Sequence, residues 1–181
     1  MAIKKIIFLI LTSIMIMSAM PSATSQSNSS EYTLKAAFLY RFTDYIEWTT
    51  NNDSQTFNVG VLGESPIINS LNEIARDKRV KSKVMTIKRC DNFSDVASCQ
   101  ILFVPRNAAY SLETILSKVG NRQILIVTEQ LGYGSKGAHI NFLTEENRLK
   151  FEVNLRSVTA AGLRISSQLL QHAVIVGKED E

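Results

Sequence analysis

Few residues in this chain have types and spacings that could do chemistry. Gly132-Tyr133-Gly134-Ser135-Lys136-Gly137 matches the dinucleotide fingerprint G-x-G-x-x-G. That fingerprint works only when a strand precedes it and a helix opens on it, so that the helix N-terminus faces a pyrophosphate. The residues that follow alternate apolar and polar, so the stretch reads as a glycine-rich turn feeding a strand. His139 could serve as a base only beside a nucleophile and an orienting acid. The sequence offers no such set, and His139 reads as an exposed sheet residue. His172 falls on the apolar side of a helical pattern and reads as a packed core residue. Two histidines 33 residues apart and two cysteines leave no metal-ligand spacing. No P-loop, H-E-x-x-H, G-x-S-x-G or C-x-x-C occurs. No catalytic residue, metal or cofactor is therefore expected.

The cysteines depend on the compartment. Lys4 and Lys5 precede an almost wholly apolar run, Ile6 to Met17, and small residues follow it through Ser25. This order predicts a secretory signal peptide over residues 1–25, and the run is short for a membrane span. The mature chain, 26–181, is then exported and does not itself cross a membrane. Export permits a disulfide. Cys90 and Cys99 enclose eight residues, and closing so small a loop would add roughly 2–3 kcal/mol in the chain-entropy model. The spacing favours that bond, and two buried thiols at strand ends are the alternative. Removing Lys4 and Lys5 leaves 18 basic against 17 acidic residues. So even a charge balance has no strong pull toward nucleic acid or an anionic membrane.

These residues must be held by elements that the hydropathy pattern supplies. With 45% hydrophobic residues the chain can bury a full core. Glu31 to Trp48 predicts an amphipathic helix, its stripe formed by Leu34, Phe38, Arg41, Tyr45 and Trp48 and widened by Ala37, Phe42 and Ile46. Strands are expected at Phe57–Leu62, Val84–Cys90, Cys99–Pro105 and Gln123–Thr128. One helix is expected to start at Glu64 or Ser65 with Pro66 in its first turn, another is capped by Ser111 and runs through Val119, and Lys78–Lys83 forms a basic connection. Near-continuous apolar runs such as Cys99–Pro105 suit strands covered on both faces. Ala138–Leu143 and Arg148–Leu155 alternate as a hairpin, with His139, Asn141, Lys150, Glu152 and Asn154 on its polar face. A last helix is expected from Ser157 to Val174. The result is a single α/β domain. It has a mixed sheet of about six strands, mostly parallel in the first half and ending in an antiparallel hairpin, with helices on both faces. Gly63-Glu64-Ser65, Arg106-Asn107 and Thr128-Glu129 would line the carboxyl edge of the strands, where such sheets bind ligands.

Three stretches together resemble the YfiR family of exported bacterial proteins. They are Lys35–Trp48 (KAAFLYRFTDYIEW), the cysteine-led strand Cys99–Pro105, and Gly137–Ala173 with its hairpin and last helix. The resemblance implies a non-enzymatic periplasmic regulator. Such a protein binds the periplasmic sensor domain of an inner-membrane diguanylate cyclase, holds it inactive, and so represses cyclic-di-GMP output and biofilm formation. It also implies an OmpA-like outer-membrane lipoprotein as a sequestering partner, and dimers among family members. Related domains occur joined to sensor kinases, so a periplasmic small-ligand sensor signalling to a histidine kinase is the alternative. Relatives with two disulfides differ from this chain, which can form one. The polar hairpin face and the start of the last helix are the expected contact surface. Glu152, Arg164, His139 and Asn141 are its candidate residues, gripping a zwitterionic ligand or a partner loop. Phe38, Tyr45 and Trp48 serve either as partner anchors or as core.

Overall fold

Short apolar runs alternating with amphipathic segments build a sheet with helices laid on both faces. The computed structural model describes residues 23–49, 54–146 and 148–177. The expected signal segment lies outside them up to residue 22. Residues Glu31–Glu181 form one compact unit.

In chain order the elements are α1 (Ala23–Tyr45), β1 (Ile46–Trp48), β2 (Thr56–Leu62), α2 (Ile67–Asp77), β3 (Arg79–Val80) and β4 (Lys83–Cys90). Then come α3 (Phe93–Val96), β5 (Ile101–Val104), α4 (Leu112–Val119), β6 (Leu125–Thr128), β7 (Ile140–Glu145) and β8 (Arg148–Asn154). The chain closes with α5 (Leu155–Ala160), β9 (Leu163–Ile165), α6 (Ser167–Leu170) and β10 (Val174–Val176). The main sheet has eight strands in the order β10-β8-β7-β6-β5-β2-β4-β3. From β4 through β7 its neighbours are parallel, while β7–β8 and β3–β4 are antiparallel. The fold class is the one the sequence implies, with more strands than about six. The basic connection contains β3, turned onto β4 through Lys81 and Ser82, both at positive φ. The end of the chain adds β10 beside β8.

Alternate residues along the strands feed two cores. Val59, Val61, Ile101, Phe103, Leu125, Val127 and Ile140 join α1 and α2 in the larger one. Leu62, Leu102, Val104, Ile126 and both cysteines join α3 and α4 in the smaller. Ser111 caps α4 as expected, accepting from the Thr114 backbone N–H.

Two helices depart from expectation. The inward stripe of α1 is Lys35, Ala36, Leu39, Phe42 and Thr43, continued by Ile46, whereas Leu34 is 47% exposed and Arg41 also faces out. Apolar residues occur on nearly every side of this helix, so spacing alone does not single out the buried face. Tyr45 ends it, and Ile46–Trp48 instead pairs antiparallel with β9. The expected helix Ser157–Val174 is broken into α5, β9, α6 and β10. Gly162 at φ +71° stops α5 in the left-handed conformation that glycine adopts without penalty. The residues beyond it find partners on β1 and β8. His172 is exposed, not core, because the helix that would have turned it inward ends at Leu170.

Candidate functional site

At the carboxyl edge of the sheet, the ends of β5 and β6 meet Glu31 and Lys35 of α1 and the tip of the β7–β8 hairpin. A cleft of about 640 Å³ opens there, lined by Glu31, Lys35, Arg106, Glu129, Leu131, Phe142, Leu143 and Leu149 among others. Its floor is ionic. Lys35, 2% exposed, pairs with Glu129 at 2.5 Å and with Glu31, one helical turn earlier, also at 2.5 Å. Glu129 Oε1 accepts from the Tyr32 hydroxyl (3.1 Å) and from the Arg106 backbone N–H (3.1 Å). The Lys35 ammonium also lies over the Tyr32 ring, 4.8 Å from its centroid. Burial, and then the Glu129 charge, push the Tyr32 phenol up to about 12. It therefore remains a donor to Glu129 at any ordinary pH. A buried pair of this kind fixes geometry rather than adding net stability. Here it ties the middle of α1 to the ends of β5 and β6.

The rim differs. The Arg106 guanidinium is exposed and has no carboxylate partner among the described residues. Leu131 is 91% exposed beside it. Glu145, on the hairpin side, is paired with Lys150. Of the expected edge residues, the structure brings Arg106 and Glu129 together. Glu64 instead meets Arg89 at 2.6 Å.

A second polar cluster lies across the hairpin. Thr128 donates to Asn141 Oδ1 (2.6 Å), and Asn141 Nδ2 donates to Glu152 (2.7 Å), three residues in register across β6, β7 and β8. Asn154 Nδ2 donates to the Gly134 carbonyl (2.9 Å) and its Oδ1 accepts from Ser157 N–H, capping α5. His139 Nδ1 accepts from the Ile126 N–H at 3.0 Å. Burial holds His139 down to about 4, against a weaker opposing bond to the Ile124 backbone, so the ring is neutral.

This corrects the reading of the hairpin's polar face as solvated. His139, Asn141 and Asn154 are all nearly fully buried. The reason is the glycine-rich stretch, which folds over that face. A Cβ on Gly134 would run into the Glu152 side chain, and Gly137, at φ +112°, has Leu116 against it at 3.1 Å. The glycines permit close approach to the hairpin, not to a phosphate.

The structure therefore does not assemble the four candidate residues into one site. His139 and Asn141 are buried and internally satisfied. Glu152 is half-buried against Asn141 and Gly134. Arg164 is exposed on β9, opposite Glu47 of β1, and makes no ion pair with Glu152. The three aromatics pack against the core. Trp48 donates to the Gln100 carbonyl (3.1 Å) and meets Phe57 edge-on, and Phe38 contacts Phe42, Phe142 and Phe151. Sequence reasoning missed Lys35, Tyr32 and Glu31. The signal available was a lysine on the row that leads into Leu39, Phe42 and Ile46, a position that demands a buried counter-charge.

Cys90 and Cys99 meet over β2. A Cβ on Gly60 would lie 2.9 Å from one sulfur and 2.8 Å from the other. Both are buried free thiols here, Cys90 donating to the Lys88 carbonyl (3.9 Å) and Cys99 to the Asp95 carbonyl (3.6 Å). The neighbouring Cys99 thiol, and then burial, push the Cys90 thiol up, and the Cys90 thiol lowers Cys99.

Among the described residues, no group of three histidine, cysteine or acidic side chains could hold a metal ion. No helix among them is long and apolar enough to cross a membrane. No curated protein matches the chain. A family model does, that of the YfiR/HmsC-like domains, DUF4154, over residues 32–174. That span runs from Tyr32 on the floor of the cleft to the first residue of β10, and by it the chain belongs to the YfiR/HmsC-like family.

Proposed function

We propose that this chain is an exported periplasmic regulator that acts by binding rather than by catalysis. Its partner is the periplasmic sensor domain of an inner-membrane diguanylate cyclase, which it holds in the inactive state. The observation that carries this reading is the family match across residues 32–174. The polar residues of the hairpin support it, because they are bonded to one another. His139, Asn141 and Thr128 are committed to internal bonds, not converged on a reacting atom. Repression needs only preferential binding to one conformation of the partner. A tenfold shift in the partner's equilibrium takes a differential of ~1.4 kcal/mol.

Arg164, exposed on the β1–β9 ribbon, is the first of the four candidate residues to examine as a contact, with Glu152 second. An OmpA-like outer-membrane lipoprotein that sequesters the regulator, and a dimer of the chain, complete the reading. Cys90 and Cys99, already converging over Gly60, form the one disulfide the chain can make. Thiol titration of the denatured exported protein decides that point, since two free thiols per chain would sink it.

The test of function is cellular cyclic-di-GMP with and without the gene, complemented by the chain with and without residues 1–25. Deletion should raise the nucleotide, and only the form carrying residues 1–25 should restore it. An unchanged level under conditions of expression removes the cyclase from the account. The cleft favours a second reading, a small-ligand sensor signalling to a membrane histidine kinase on the same fold. Capture of a kinase in place of a cyclase by periplasmic cross-linking would select it.

A further inference from the structure

The carboxyl-edge cleft has a feature that packing does not require. Its floor is closed, because Lys35 is held by two carboxylates and an aromatic ring, and Glu129 accepts from three donors. Its wall is mostly apolar, with Phe142, Leu143 and Leu149 from the hairpin and Leu131 from the β6 loop, and Gln130, Thr144 and Glu145 supply the polar part. Its one cation without a carboxylate among the described residues is Arg106. The arginine backbone is pinned by Glu129 at 3.1 Å, so its side chain is presented at the mouth from a fixed base. Leu131, 91% exposed, extends the apolar wall past that mouth.

Unpartnered guanidinium and bare leucine together form a bipartite surface. A guanidinium receives a carboxylate through two parallel hydrogen bonds. Apolar walls around a few fixed polar groups, in a volume of about 640 Å³, match the usual make-up of small-molecule sites. The location agrees as well, since ligands of open α/β sheets bind beyond the carboxyl ends of the strands. We propose that this cleft binds a small apolar molecule ending in a carboxylate. Arg106 takes the carboxylate, and Leu131, Leu143 and Leu149 take the apolar body. Lys35, Glu129 and Tyr32 act as positioning residues that fix the arginine loop against the middle of α1. The site shares none of the candidate residues His139, Asn141, Glu152 and Arg164 and does not depend on which membrane protein the chain regulates.

The test is direct binding to the exported chain by calorimetry, with amide NMR shifts to locate the ligand. The probes are hexanoate, decanoate and 3-phenylpropionate, each beside its uncharged amide. Saturable binding of at least one acid is expected, with shifts confined to the residues around Arg106, Leu131, Leu143 and Leu149. Arg106→Gln should weaken it tenfold or more, and so should replacing the acid by its amide. Leu131→Ser, at an exposed position that leaves the fold intact, should weaken the longer or bulkier acid more than hexanoate. Preference for decanoate would indicate a lipid-derived acid, and preference for 3-phenylpropionate an aromatic one. No saturation by any of the three acids overturns the proposal. So does binding that Arg106→Gln or the amide leaves unchanged, or shifts that map elsewhere.

Discussion

The two buried polar clusters sit at neighbouring places on one sheet and solve opposite problems. Under the glycine-rich stretch, Thr128, Asn141 and Glu152 form a ladder of mostly uncharged hydrogen bonds, and Asn154 beside it holds the Gly134 carbonyl. At the carboxyl edge, Lys35, Glu129 and Glu31 form an ionic floor that a cleft leaves open above. A neutral network can be sealed because each of its groups costs little once bonded. A charge network repays its desolvation only with every partner in place. The contrast shows that burial of polar residues alone does not mark a site. What separates the two regions is whether an unsatisfied group remains at the surface of the cluster. The ladder has none beyond half-buried Glu152, whereas the floor leads to Arg106.

The sharpest way to break this comparison is to remove one charge from the floor. Glu129→Ala leaves Lys35 buried with only the half-exposed Glu31, and should destabilise the protein by about 3–5 kcal/mol. Lys35→Met with Glu129→Leu should recover most of that loss, since two apolar groups carry no unpaired charge. Urea denaturation midpoints of the single and double variants measure both. A Glu129→Ala cost no greater than the 1–3 kcal/mol or so expected for a neutral buried group would erase the distinction between floor and ladder.

The next effect belongs to the sealed side. His139 titrates near 4 when folded, below its ordinary 6.5. Between those values the unfolded chain binds more protons, so stability rises with pH. It is complete above about 6.5 and falls by roughly 3 kcal/mol as the pH drops to 4. Protonation would also set a second donor against the Ile126 N–H. Denaturation midpoints across pH 4–7 should show that slope, and His139→Gln should remove the histidine's share while leaving that of the carboxylates. An identical pH profile in the variant would contradict a buried neutral ring.

Gly134→Ala comes third. The added methyl meets the Glu152 side chain, including its Cβ at 3.0 Å, so roughly 1–3 kcal/mol is expected from overpacking. The loss should be accompanied by amide exchange in the β7–β8 hairpin, and little change at Arg106. Exchange spreading to the cleft instead would show that the two regions are one cooperative unit.

How far these regions were legible follows from what each signal measures. The continuous runs QILFV and QILIVT announce strands covered on both faces, and β5 and β6 lie where those runs stand. Alternation placed the hairpin correctly and sorted its two faces, but alternation reports direction, not cover. Cover comes from elsewhere in the chain, as where Gly134 lies on Glu152 and Asn154, and His139 and Asn141 are interior residues for that reason. Gly162 carried the break in the last helix, yet the strand beyond it exists because β1 offers an edge, and no local pattern encodes a partner over a hundred residues away. The edge position of Arg106 and Glu129 was legible from topology. Their connection through Lys35 was not, because α1 is apolar on too many sides to show which way its one lysine points.

The smallest effect tests the rim. Glu145 lines the hairpin side of the cleft and pairs with Lys150, both largely exposed. An ion pair in that setting is worth ~0–1 kcal/mol, so Glu145→Gln should leave the denaturation midpoint almost unmoved. Its consequence lies in the field over the cleft. Removing that carboxylate frees the Lys150 ammonium and takes one negative charge from the side facing Arg106, so an apolar carboxylate should bind about two- to fivefold more tightly at low salt, with the gain fading as salt is raised. A sealed cluster has no such response, because no ion from solvent reaches it. The same substitution therefore separates the two regions in one titration. Tighter binding with unchanged stability marks the carboxyl edge as an open electrostatic site, and unchanged binding at low salt means that the charge of the rim does not reach the place where the carboxylate sits.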